Sequence, residues 1–151
     1  MPVSLTPRGT GRPDYSQQVS KVALSSPEIN QYGYWASVDL TLTAGEEWSF
    51  IIDKWFLDQY DYVPEGYRFL LDHVEFTADS NVLMEAVVGR QDTSLTVYAL
   101  GYSWGYQRVL IEPRRAYVFI PNTRPVFIIA NYGDVDINVH TNVFGALEKV
   151  G

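Results

Sequence analysis

A chain of 151 residues with no cysteine has no disulfides, thiol nucleophiles or Cys-ligated zinc to draw on, and its length suits a single domain with its own core. Eighteen acidic against eleven basic residues leave a net charge of −7, which argues against a nucleic-acid-binding face and against docking on anionic membrane lipid. No apolar run approaches the ~20 residues of a membrane-spanning helix, while eleven Tyr and four Trp suit the pleated, half-buried surfaces of strands.

Residues 1–33 differ from the rest. Pro2, Pro7, Pro13 and Pro27, with Gly9, Gly11 and few apolar side chains, predict an extended N-terminal arm whose start is locally basic through Arg8 and Arg12. Met1 to Gly11 contains no apolar stretch of the kind a signal peptide needs, so secretion directed by a signal peptide is not expected. Inside the arm, Val19, Val22, Ala23 and Leu24 form one short strand-like piece. Such an arm reads either as a disordered tail or as a segment suited to the exposed sheet edge of another subunit, where it would add a strand or a clamp.

From Tyr34 to the end the pattern predicts one β-sandwich domain, residues 34–151. Val38, Leu40 and Leu42 alternate with Asp39, Thr41 and Thr43, a half-buried strand. After the turn at Ala44-Gly45-Glu46-Glu47, Trp48, Phe50 and Ile52 resume, either as a hairpin partner or round a corner between sheets. Residues 53–66 read as a polar-aromatic loop closed by Pro64-Glu65-Gly66. Tyr67 to Phe76 follows, its alternation broken in a way that predicts burial on both faces or a bulge near Asp72. Turns are expected at Asp79-Ser80-Asn81 and at Gly89 to Asp92, bracketing a strand through Leu83, Glu85 and Val87. Leu95, Val97 and Ala99 lead to a Gly-aromatic loop at 101–106. Short strands are expected around Val109–Ile111 and Tyr117–Ile120, then an inner strand over Val126–Ala130. Asn131-Tyr132-Gly133-Asp134 turns into a last strand from Val135 towards Leu147. About eight strands at this spacing, with no sustained helical period and no fixed repeat, predict an all-β, jelly-roll-like antiparallel sandwich.

Few residues suggest chemistry. His73 and His140 lie within alternating strands, with no H-x-H or H-E-x-x-H spacing, so they read as ordinary strand positions and not as metal ligands. Asp53, Asp58, Asp61 and Glu65 lack the Asp-x-Asp-x-Asp-Gly pattern of a calcium loop and read as a solvated surface. No G-x-S-x-G elbow and no phosphate-cradling G-x-x-x-x-G-K-[ST] occurs, so neither an enzyme nor a cofactor is expected. Two aromatic clusters stand out. Trp55, Tyr60 and Tyr62 are interleaved with acids and, with Tyr15, Val19, Val22 and Leu24 of the arm, are the interface candidates. Tyr102, Trp104 and Tyr106, beside Tyr98, are the ligand-stacking candidates, with Gly101 and Gly105 expected to let their loop bend tightly. The plainer reading of both clusters is that they cap the sandwich or pack subunits.

The order of pieces carries a resemblance. Val63-Pro64-Glu65-Gly66-Tyr67 launches a strand that runs to Phe76, and Val82 to Val88 follows a polar loop. Ile111-Glu112-Pro113 then leads to Tyr117–Pro121, Val126 to Asn131 ends at an amide, and Val135–Val143 closes towards Gly145-Ala146-Leu147-Glu148. This resembles the small jelly-roll proteins of tailed-phage structural modules, the capsid-decorating and tail- or fibre-associated type. The resemblance implies a homotrimer on the surface of a virion, in contact with the major capsid protein or another virion component. It brings no catalytic residue. The competing reading is a carbohydrate-binding β-sandwich module, free or on a virion fibre, using residues 101–106.

Overall fold

The computed structural model describes residues 18–26 and 31–150. They form ten strands: β1 (Gln18–Ser26), β2 (Gln31–Leu42), β3 (Glu47–Phe50), β4 (Tyr67–Ala78), β5 (Leu83–Asp92), β6 (Val97–Tyr106), β7 (Arg108–Ile111), β8 (Tyr117–Phe119), β9 (Thr123–Asn131) and β10 (Ile137–Lys149).

The antiparallel pairings nest. β5 pairs with β6, β4 with β7 and β8, β3 with β9, and β2 with β10. Nested pairing is what results when one long antiparallel hairpin rolls up, which makes this a jelly-roll sandwich. Pairings β4–β10 and β5–β9 join the rolled hairpin into two sheets, β1-β2-β10-β4-β7, with β8 also on β4, and β3-β9-β5-β6. The expected eight strands are therefore present, with β1 added at one edge and one strand position split into β7 and β8. The segment 44–46 turns the corner from one sheet to the other. Its turn closes with the Glu46 amide donating to Thr43 O at 3.0 Å, and Gly45 takes the positive φ of 75° that the corner needs.

The core follows from period two. Tyr34, Ala36, Val38, Leu40 and Leu42 of β2 are all buried, and they face the other sheet's Met84, Ala86, Val88, Phe127 and Ile129. Each such large side chain contributes about 1.5–3 kcal/mol of hydrophobic free energy. The bulge expected near Asp72 is present: His73 pairs with Phe144 and Leu71 with Gly145, leaving Asp72 as the extra residue of β4. It shifts the buried set from Phe69 and Leu71 to Val74, Phe76 and Ala78 while keeping one face of the strand on the core.

Three expectations are corrected. Residues 101–106 are a strand and not a loop, because β6 runs unbroken to Tyr106. Residues 89–92 belong to β5; the turn comes later, at residues 93–96, where Asp92 Oδ1 accepts from the Ser94 and Thr96 amides at 2.9 and 3.2 Å. The 53–66 segment is not a polar surface loop throughout. Trp55 and Phe56 turn inward onto Tyr34 and Phe69, with the Trp55 and Phe69 ring centroids 4.9 Å apart. The Tyr34 hydroxyl accepts from the Leu57 amide at 2.8 Å and anchors the segment.

Candidate functional site: an aromatic face on the four-stranded sheet

β6 is the outer strand of the four-stranded sheet, and among the described residues it pairs with β5 alone. Its sequence Gly101-Tyr102-Ser103-Trp104-Gly105-Tyr106 alternates small with large. The small residues face the other sheet. A Cβ at Gly101 would stand 2.8 Å from Cζ of Tyr117, and one at Gly105 would collide with the carbonyl oxygen of Arg108. Neither glycine has a positive φ, so both serve for the side chain they lack and not to bend a loop. The large residues therefore all face outward.

The register assembles the site. Tyr106 lies opposite Leu83, Trp104 opposite Glu85 and Tyr102 opposite Val87, so directly paired residues share the outer face. Tyr132, just beyond β9, completes it, with its hydroxyl 3.5 Å from Glu85 Oε1. Tyr102, Trp104, Tyr106 and Tyr132 are 58, 59, 62 and 56 % exposed. They border a shallow depression of about 410 Å³ together with Leu83, Met84 and Glu85. Burial raises the Tyr132 pKa above its ordinary 10.0, and the negative charges of Glu85 and Glu47 push it the same way, so this hydroxyl stays a neutral donor. Among the described residues no lysine or arginine lines the depression, so it presents rings, the Leu83 side chain and a carboxylate. Contiguous exposed aromatic patches are uncommon on isolated domains, and here the strand base fixes the ring spacing.

The other candidates are dispersed. Tyr15 lies outside the described residues. Val19, Val22 and Leu24 fall in β1, opposite Val38, Trp35 and Gly33 of β2. Trp55 is corrected: at 2 % exposure it is core and offers nothing to a partner. Tyr60 is exposed and bridged to Phe56, whereas Tyr62 is half-buried under the Arg124 guanidinium, 4.3 Å from its ring centroid. The structure therefore brings Tyr102, Trp104 and Tyr106 together and separates them from Tyr60 and Tyr62. Leu83, Glu85 and Tyr132 were missed, because only strand register shows which residues stand beside β6.

A second polar arrangement was also illegible. Asp39 Oδ1 meets His140 Nδ1 at 2.5 Å, and His140 Nε2 lies 3.2 Å from Ser37 Oγ. The order matches an acyl-transfer triad, but Ser37 sits mid-strand between β1 and β10, its neighbouring amides engaged in the ladders, so no oxyanion donor converges on it. His73 stacks on Phe144 at 4.4 Å. In the acidic loop, hydrogen bonds from Asp53 and the Lys54 amide hold Asp61 below the usual carboxylate range. Among the described residues, no group of three or more His, Cys, Asp or Glu side chains is placed to hold a metal.

No protein-family model matches the chain, and no curated protein matches it. Several solved structures are similar. A mitogen from Yersinia pseudotuberculosis shares 13 % identity over 78 % of this chain and 86 % of its own, with a TM-score of 0.45. The N-terminal cellulose-binding domain of a Cellulomonas fimi β-1,4-glucanase shares 13 % over 76 % and 79 %, with a TM-score of 0.38. The virus-like particle of the extra small virus of the prawn Macrobrachium rosenbergii shares 14 % over 100 % and 92 %, with a TM-score of 0.32. All three scores lie below 0.5, so the assignment of a jelly-roll sandwich stands on the strand order of this chain.

Proposed function

We propose that this protein is a viral structural protein, an oligomer that decorates and stabilises a phage capsid from its outer surface. The observation that carries the reading is the outward row of Tyr102, Trp104 and Tyr106 on an edge strand of a well-packed sandwich. Exposed patches of this kind are uncommon on isolated monomers, and Tyr and Trp are the side chains that anchor interfaces. The arm and this face supply the contacts to other copies, as a homotrimer, and to the major capsid protein or another virion component. Light scattering on the full chain tests the first step: a mass near three times 17.2 kDa is expected, and a monomer at all concentrations overturns it.

Glu85 and the Tyr132 hydroxyl beside Trp104 favour a second reading, a carbohydrate-binding face. Rings stack on sugar C–H faces while a carboxylate and a phenol take hydroxyls. Glycan-array binding that is lost in Trp104→Ala would establish it, and a blank array with the wild-type protein would exclude it.

A further inference from the structure

We infer that the aromatic face receives an arginine side chain from a basic partner protein other than this chain, with the guanidinium over Trp104 and paired to Glu85. This rests on the reading of the face as a protein contact and names the chemistry of what it contacts.

Strand register brings the groups together. Glu85 lies directly opposite Trp104, and Ala130 pairs with both Glu85 and Glu47. Directly paired residues share a face, so two carboxylates and an indole lie in one row across the outer surface, with the small Ala130 between the acids. The Cβ atoms of such a pair stand about 4.5–5.5 Å apart. A planar cation resting on the indole therefore reaches the Glu85 carboxylate without leaving the ring. Tyr102 and Tyr106 stand about 6.5–7 Å to either side along the strand and extend the platform.

Glu85 has no cation within the described fold. Glu75 is paired with Arg108 and Glu148 with Arg68, whereas among the described residues Glu85 forms no ion pair and meets the neutral Tyr132 hydroxyl. Arg124, on the neighbouring strand β9, is engaged by Gln91 and the ring of Tyr62. After burial, the charges of Glu85 and Glu47 raise the Tyr132 pKa, and a field that disfavours a phenolate favours a cation.

The form of the ligand follows from the pairing of ring and acid. A guanidinium stacks flat on an aromatic face and keeps its forked N–H donors for a carboxylate, whereas an ammonium offers a point charge alone. The chain makes this kind of stack once within its own fold, with the Arg124 guanidinium 4.3 Å from the Tyr62 centroid. Charge selects the partner. A second copy brings a further −7 towards a face that already holds two carboxylates, whereas a basic protein surface is drawn to it.

The test titrates synthetic peptides into the full-length protein and follows the Trp104 indole N–H by NMR. The probes are acetyl-Gly-Arg-Gly-Arg-Gly-amide and its analogues with citrulline or lysine in place of arginine. The arginine peptide is expected to shift the Trp104 signal. Citrulline keeps the plane and loses the charge, lysine keeps the charge and loses the plane, and each should bind about tenfold more weakly. Glu85→Gln should weaken the arginine peptide about tenfold as well. An unmoved Trp104 signal at millimolar peptide, or equal shifts from all the peptides, overturns the inference. A shift that appears only after Arg8→Ala with Arg12→Ala shows that the chain's own arginines hold the site, and overturns it too. A trimer seen beside any of these results leaves the structural reading standing, and a monomer that binds no peptide overturns both.

Discussion

The ring of Tyr117 on β8 occupies the space that a side chain at Gly101 on β6 would need, with Tyr117 Cζ 2.8 Å from the position of that Cβ. One sheet's tyrosine thus fixes the other sheet's edge strand, and through it the outward direction of Tyr102 and Trp104. Gly101→Ala is expected to cost about 1–3 kcal/mol through overpacking, read by urea denaturation. Tyr117→Phe removes the hydroxyl that collides most closely, so the double variant should recover part of the loss. Full stability in Gly101→Ala alone would show that the ring gives way freely.

The two tryptophans separate packing from recognition. Trp55→Ala, in a cluster with Tyr34, Phe56 and Phe69, is expected to cost about 3–5 kcal/mol. Trp104→Ala is expected to stay within about 0.5 kcal/mol of wild type, since its ring is largely in water. Sedimentation or light scattering on the same variant should show the loss that denaturation does not.

Asn131 holds two turns together. Its side-chain amide donates to Thr43 O at 3.1 Å and Val135 O at 2.9 Å, and its Oδ1 accepts from the Gly133 amide at 2.8 Å, all from a fully buried position. Asn131→Asp leaves both carbonyls facing a carboxyl group in place of a donor. A loss of about 2–4 kcal/mol is expected in thermal or chemical denaturation at neutral pH. Asn131→Leu should lose a similar amount, since both carbonyls and the Gly133 amide then lack their partner.

Asp79 gives the fold one acid-sensitive tie. It accepts from the Asn138 backbone amide at 3.0 Å and side-chain amide at 2.9 Å, and these bonds hold its pKa below the ordinary 3.8. A carboxylate whose folded pKa is depressed stabilises the fold above its unfolded value, and that contribution disappears as pH falls through the folded value. The stability gap between wild type and Asp79→Ala should therefore be full at pH above about 5 and shrink below about 4. A gap independent of pH would show that the bonds do not depend on the charge.

The sequence by itself determined the class of fold. Alternation in Val38–Leu42, the apolar run Val126–Ala130 and the broken phase at Asp72 each follow from one physical rule, that successive strand side chains point to opposite faces. The same rule was available in Gly101-Tyr102-Ser103-Trp104-Gly105-Tyr106, whose small–large alternation marks a strand; reading the glycines as hinges hid it. Tertiary structure alone decided which residues share a surface. Trp55 and Trp104 each lie in an aromatic-rich segment, yet one fills the core and the other is largely exposed, because burial depends on what packs above each residue as well as on the local chain. Glu85, Leu83 and Tyr132 join the aromatic row, and His140 joins Asp39, only through register between strands distant in sequence. Register is set by the global pairing of the rolled hairpin, which no local pattern encodes.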